Sequence, residues 1–148
     1  MADTMKMDII TAERTVFSAD IELVLAPGVE GELGILPHHA GFMTILKPGE
    51  LMIRKDGIET FFAISGGFME VLGNHVSVLA DACERSDEID EERAEQAIQR
   101  AQERLANHGS EMELERAMTS LKRAQVRVNL VRRRRPRSGQ QTPTGAST

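Results

Sequence analysis

The chain of 148 residues is 41% hydrophobic and 28% charged, with net charge −5 and one cysteine, a size that suits one ordinary domain or a small domain with an appendage. Aromatic residues make up only 3%, five Phe with no Trp or Tyr, so the exposed rings on which single-stranded nucleic acid stacks are scarce and no nucleic-acid partner is expected. Cys83 alone rules out a disulfide framework or a multi-cysteine metal site, and no apolar run reaches the roughly 18 residues of a membrane span.

The first ten residues, MADTMKMDII, lack the basic stretch and long apolar core of a signal peptide, so the expectation is a soluble, cytosolic chain. Residues 1–86 carry 6 Lys/Arg against 13 Asp/Glu. They read as short strands. Apolar residues alternate at period two in Ile21-Glu22-Leu23-Val24-Leu25 and in His75-Val76-Ser77-Val78-Leu79. Between these, short apolar runs are punctuated by Pro27-Gly28, Pro48-Gly49, Asp56-Gly57, Gly66-Gly67 and Gly73-Asn74. Asp56-Gly57, set between Leu51–Arg54 and Ile58–Ala63, is a hairpin signal, because a tight primed turn needs positive φ. Frequent turns without a long helical period predict a sandwich or barrel of strands.

Residues 87–131, with 7 Lys/Arg against 10 Asp/Glu, change character. Asp90 to Asn107 contains no Gly or Pro, and Ala94, Ala97, Ile98, Ala101 and Leu105 recur at three- and four-residue spacing, one helical face built mostly of alanine. Asn107-His108-Gly109 is a stop signal. Ser110-Glu111-Met112-Glu113 has the capping-box pattern that starts a second helix. Leu114, Met118, Leu121, Gln125 and Val128 predict a coiled-coil-like seam, with Ala117 and Ala124 beside it. The short connection makes the two helices antiparallel. An alanine seam buries little area, so at roughly 25 cal/mol per Å² the hairpin gains little on its own and must dock on the strands, on a partner, or on each in turn.

Residues 132–148, RRRRPRSGQQTPTGAST, hold 5 Lys/Arg and no acid. Without large apolar residues they are expected to be a disordered basic tail, either a solubilising end or a segment that touches phosphates or acidic surfaces.

Catalytic chemistry finds no foothold. His38 and His39 are adjacent and would point to opposite faces of a strand, Ser65-Gly66-Gly67 lacks a nucleophile-elbow context, and no phosphate-loop motif is present. Cys83 reads as a small buried hydrophobe. One cluster stands out. Arg93 and Arg100 share a face of the first helix and Arg123 and Arg127 a face of the second, so an antiparallel hairpin lets four guanidiniums converge on a polyphosphate. The same residues also read as solvated ion pairs with Glu91, Glu92 and Glu95.

The stretch Pro27-Gly28-Val29-Glu30-Gly31-Glu32-Leu33-Gly34-Ile35-Leu36-Pro37-His38-His39-Ala40 resembles the signature of the epsilon subunit of F-type ATP synthases, as do Leu46-Lys47-Pro48-Gly49, Ile64–Val71, Val78–Asp81 and Ile89-Asp90-Glu91-Glu92-Arg93-Ala94. The resemblance runs in order over roughly residues 5–131. It implies an α+β chain, an N-terminal ten-stranded β-sandwich over residues 1–86 and a C-terminal antiparallel two-helix hairpin over 87–131. It further implies a non-catalytic, metal-free rotor subunit of the central stalk, peripheral on the cytoplasmic side of the cell membrane. Its implied partners are the gamma subunit and the c-subunit ring, with the alpha and beta subunits when the hairpin extends. There it would couple proton-driven rotation to ATP synthesis and inhibit ATP hydrolysis through the hairpin. Glu32 and His39 match family positions that meet the ring and gamma. In some bacterial members the I/L-D-x-x-R-A motif binds a regulatory ATP, which here implies Glu84, Ile89, Asp90, Arg93, Ala94, Arg100, Arg123 and Arg127. The chain departs from the family pattern at His38, where many members have Gly, at Gly41, where Pro is frequent, and in its long tail. The alternative reading from the residues alone is a non-catalytic β-sandwich binding module with a helical oligomerisation arm.

Overall fold

A computed structural model describes residues 3–107 and 109–134. Ten strands come first: β1 Met5–Ile10, β2 Thr15–Ile21, β3 Leu23–Gly28, β4 Gly31–Ile35, β5 Phe42–Leu46, β6 Gly49–Lys55, β7 Ile58–Ile64, β8 Gly67–Leu72, β9 His75–Ala80 and β10 Cys83–Arg85. A single 3₁₀ turn at Ser86–Glu88 leads into helix α1, Glu91–Ala106, and helix α2, Glu111–Arg134. The architecture is the expected α+β one, a ten-stranded sandwich followed by two helices.

Alternation builds the sandwich core. Met5, Met7 and Ile9 of β1, Met69 and Val71 of β8, and Val76 and Val78 of β9 all point inward and are buried, while Lys6, Asp8, Phe68, Glu70 and Ser77 point out or lie at the margin. The strands form one continuous sheet in the order β10-β7-β6-β3-β5-β8-β9-β1-β2, with β4 added on β3. Every pairing is antiparallel except β1 with β9. The sheet folds over on itself, so that Phe17 of β2 meets Phe62 of β7 edge-to-face at 5.6 Å through the core.

The alternation expected across Ile21–Leu25 is interrupted. Strand β2 ends at Ile21 and β3 begins at Leu23, and the kink at Glu22 shifts the inward set to Ile21, Val24 and Ala26. A one-residue offset reverses which side chains reach the core. The turns follow the sequence more closely. Asp56 and Gly57 both take positive φ, 52° and 74°, as a primed hairpin turn requires, and Gly73 and Asn74 repeat the geometry at 58° and 59°. At Gly67, φ is 142° and an added Cβ would meet the Leu79 carbonyl oxygen at 2.0 Å. Glycine is there because the β9 backbone runs too close for any side chain.

In the hairpin, Asp90 caps α1 by accepting a hydrogen bond from the Arg93 backbone N–H at 3.2 Å. His108, central to the predicted stop, lies outside the described residues. At the start of α2, Glu113 N–H donates to Ser110 Oγ at 3.2 Å, and the Glu113 carboxylate accepts from Gly109 N–H at 2.7 Å, one residue before the cap proper. The seam differs from the expected Leu114–Met118–Leu121–Gln125–Val128 row. Ala94 and Ala101 of α1 and Ala117, Ala124 and Val128 of α2 are buried, whereas Met118 is 45% exposed and Gln125 is exposed. Alanines take the centre because they let the two backbones approach, which pushes the longer side chains to the flanks.

Helix α2 also continues through Arg134, three residues past the boundary at 131, so Arg132–Arg134 of the expected tail are helical. Residues 135–148 lie outside the described residues. The hairpin rests on the sandwich through a second, small apolar cluster of Ala63, Ile89 and Leu130, flanked by Phe61, Val126 and Val131.

Candidate functional site

Three surfaces follow from this architecture: the contact between hairpin and sandwich, the outer face of the sandwich, and the tip of the hairpin. The contact is small and ionic at its edges. Arg127 Nε donates to Glu84 of β10 at 2.9 Å. Arg132 reaches across to α1, with Nε on Glu91 at 3.1 Å and a terminal nitrogen on Glu95 at 2.5 Å. Arg133 pairs with Glu50 of β6. Helix α2 is thereby tied at once to α1, to β10 and to β6. The cation set for a solvated tail in the sequence is partly spent on intramolecular pairing.

The eight residues carried over for ATP do not form one cradle. Glu84, Arg123 and Arg127 come together in a cleft of about 160 Å³ between β7, β10 and α2, which Cys83 and Val126 also line. That is small beside the roughly 300–1,000 Å³ of ordinary ligand pockets, and the Arg127 guanidinium is already paired to Glu84. Ile89 and Ala94 are buried as packing residues, Ile89 against the sandwich and Ala94 in the helix seam. Asp90 is occupied as the α1 cap, and Arg93 is exposed beside it. Arg100 lies farther along α1, in a groove at the hairpin tip of about 500 Å³ shared with Arg104 and Arg116.

Glu32 and His39 are separated as well. Glu32 sits near the start of β4, opposite Pro27, in an open groove with Lys47, Glu50 and Arg133. His39 lies beyond the other end of β4, exposed, its Nδ1 donating to the Ala40 carbonyl at 2.7 Å and its ring set edge-on to Phe42. The neighbouring His38 takes φ 66°. Its N–H donates to Asn74 Oδ1 at 2.8 Å, while Asn74 Nδ2 donates to the Thr4 carbonyl at 3.0 Å. The loop is thus stitched to the β8–β9 turn and to the chain start.

The outer face of the sandwich carries a surface that the sequence did not reveal. Strand register places Ile45 opposite Phe68, Phe68 opposite Leu79, and Leu79 opposite Ile10. Val29 joins the end of this row, its N–H bonded to the Ile45 carbonyl. All five side chains are exposed, Ile45, Phe68 and Leu79 by more than half. Met43 and Leu72 stand on the same face. A contiguous apolar ridge across four strands is unusual on an unpartnered protein and marks a docking surface. Each of these residues taken singly looks like core in an alternating pattern; only the register shows that they line up on the outside.

Beside the ridge, Asp8 accepts from Ser18 Oγ at 2.5 Å and from His75 Nε2 at 2.6 Å. These bonds, Ser18 first, hold its carboxyl below its ordinary value of 3.8. Burial pushes the Cys83 thiol up to about 12, so it carries no thiolate to react or bind metal near neutral pH. Among the described residues, no group of three or more His, Cys, Asp or Glu is placed to hold a metal ion, and no helix is long and apolar enough to cross a membrane.

A sandwich with an exposed docking ridge and a laterally pinned helical hairpin defines a protein that works through contacts with other chains. Its two parts coincide with two family models, the beta-sandwich domain of the ATP synthase delta/epsilon chain over residues 4–86 and the long alpha-helix domain of the same chain over residues 87–132. The chain belongs to the ATP synthase delta/epsilon family, as an epsilon chain. It is 50% identical over 133 residues to the ATP synthase epsilon chain of Herpetosiphon aurantiacus, covering 90% of this chain and 98% of that one. It is likewise 50% identical over 128 residues to the epsilon chain of Desulforamulus reducens, covering 86% and 97%. In fold it matches a chain of the Euglena gracilis mitochondrial ATP synthase assembly containing OSCP, F1 and the c-ring. The TM-score there is 0.71, at 21% identity and over 82% of this chain and 78% of that one. A chain from the central stalk and c-ring of the Tetrahymena thermophila mitochondrial ATP synthase matches with a TM-score of 0.61 at 17% identity, over 87% and 97% of the two chains.

Proposed function

We propose that this epsilon chain docks through its apolar ridge on the gamma subunit, stands against the c-subunit ring at the membrane surface, and turns with them as part of the rotor. In that position the sandwich passes proton-driven rotation towards the alpha and beta subunits, and the hairpin regulates ATP hydrolysis by leaving the sandwich to contact them. The observation that carries this reading is the contrast between the two surfaces. The ridge offers a broad apolar face to a permanent partner. The hairpin is held by one small apolar cluster and a few ion pairs, of which exposed ones contribute about 0.2–1 kcal/mol each, so a competing partner can displace it. A nucleotide grip by Glu84, Arg123 and Arg127 requires their cleft to widen first.

Co-expression with the gamma subunit of its own complex tests the reading. The chain is expected to co-purify with gamma in equal amounts, and Phe68→Glu combined with Leu79→Glu, which buries two carboxylates in the interface, is expected to remove gamma from the preparation. A stable homodimer that ignores gamma would instead support a binding module with an oligomerisation arm, and would overturn the rotor assignment.

A further inference from the structure

One rung along from the apolar ridge, the outer face of the sandwich carries a carboxylate, Glu70, set among apolar side chains. Glu70 stands between Phe68 and Leu72 at the outward positions of β8, roughly 7 Å from each along the strand. Strand register places it opposite Met43 of β5 and Ser77 of β9. Phe68, Leu72 and Met43 are all more than half exposed, so whatever covers them covers Glu70 as well. Among the described residues Glu70 forms no ion pair. The cations of this face lie elsewhere. His75 is bonded to Asp8, and Lys6 stands two strands over, between His75 and Asp20. In the free chain Glu70 is exposed and hydrated. Under an apolar partner it would lose that hydration with nothing in return, a loss an interface tolerates only where the charge is matched from the other side. The surroundings also favour one cation over the other. A planar guanidinium pairs with a carboxylate through two parallel bonds and lays its flat face on an aromatic ring, which Phe68 supplies two positions away. A lysine ammonium, compact and strongly hydrated, gains less from such a place.

We propose that Glu70 determines the specificity of the docking face by receiving an arginine of the gamma subunit, paired with the carboxylate and stacked on Phe68. The pairing rests on the ridge being the gamma-docking surface. The ridge supplies the area, whereas the pair fixes how gamma lies across the strands and turns away apolar surfaces that bring no cation to this point. The same charge keeps copies of this chain apart, because two ridges meeting face to face would bury two unmatched carboxylates.

Titrating the full chain into the alpha–beta–gamma assembly of its own complex, depleted of this chain, tests the pairing. Glu70→Gln keeps the size of the side chain and leaves the gamma cation unmatched, and it is expected to weaken binding at least tenfold. Glu70→Arg sets two cations against each other and is expected to weaken it at least a hundredfold. Both variants are expected to keep the parent's thermal midpoint, because Glu70 is exposed and ties no two strands together. Glu103→Gln removes one carboxylate from the exposed side of α1 and is expected to leave binding within twofold, which separates position from net charge. When the arginines of gamma are replaced by Glu one at a time, one of them is expected to restore binding to the Glu70→Arg chain. Glu70→Gln binding within twofold of the parent, where Phe68→Glu with Leu79→Glu abolishes it, would overturn the pairing and leave the docking of the ridge intact. Failure of every arginine reversal in gamma to restore the Glu70→Arg chain would do the same. A parent chain that binds no gamma would overturn the pairing and the rotor reading together.

Discussion

His38 occupies a conformation that suits glycine. Its φ of 66° carries a left-handed penalty of about 1–2 kcal/mol, and its side chain reaches only exposed Asp3, at 3.8 Å. The bond that fixes the loop, from His38 N–H to Asn74, is a backbone bond and survives replacement. His38→Gly regains the steric penalty and loses about 0.5–1 kcal/mol to the freer unfolded chain, so a net stabilisation of roughly 0.5–1 kcal/mol is expected in urea denaturation. The departure from the family's glycine was legible in the sequence, and its physical meaning, strain held by Asn74, was not, because Asn74 lies 36 residues away. Asp8 gives a second residue-level expectation. Its folded carboxyl is held below 3.8, chiefly by Ser18 and then by His75, with Lys6 assisting. The unfolded chain therefore binds the proton more readily. The stabilisation is fully present above about pH 4 and is lost as pH falls through the folded value. Asp8→Asn is expected to flatten the decline of the urea midpoint between about pH 4 and 2, while a decline as steep as in the parent chain would remove Asp8 from the account.

The elements themselves were largely readable. The Asp56-Gly57 primed turn, the Ser110 cap and the antiparallel hairpin rest on interactions between residues within a few positions of each other. Gly73-Asn74, by contrast, read only as a break, and Asp90 as a helical residue, not as the cap it is. Reading failed where packing, not periodicity, chose between equivalent faces. The leucine-containing seam is as regular as the alanine row beside it, but only the alanines let α1 and α2 approach closely enough to bury Ala94 and Ala101. Ala117→Leu inserts three carbons at a position 1% exposed and is expected to destabilise the hairpin by about 1–3 kcal/mol. Hydrogen exchange would show the change in α1 and α2 and not in β1, β8 or β9; equal acceleration in the sandwich strands would mean the two parts do not unfold separately.

Across the whole molecule, the ties between the parts join residues that the chain keeps far apart, Arg133 with Glu50 over 83 positions and Arg127 with Glu84 over 43. No local pattern announces such pairs, which is why Arg133 read as part of a basic tail and Arg127 as one of a phosphate cluster or of a set of solvated ion pairs. Their ionic character predicts salt dependence. Raising ionic strength from 0.05 to about 0.5 M shortens the screening length to a few Å and is expected to speed amide exchange at Val126 and Leu130 severalfold, with the sandwich core unchanged. Glu50→Arg combined with Glu84→Arg is expected to produce the same loosening at low salt. Exchange in α2 that ignores both treatments would assign the docking to the apolar cluster alone.

The parallel pairing of β1 with β9 sets an order in time. Lys6 lies beside His75, so the first strand stays without its inner neighbour until nearly the whole sandwich has been synthesised, and a closure of such sequence separation is slow. The two helices are joined by a short connection, and single helices and short loop closures form within microseconds, but their alanine seam leaves the pair in need of a surface to dock on. During synthesis the sandwich nevertheless precedes the hairpin from the ribosome. Each new molecule therefore presents its partner-binding face before it has an arm to fold against its side, and a partner waiting nearby meets the platform first.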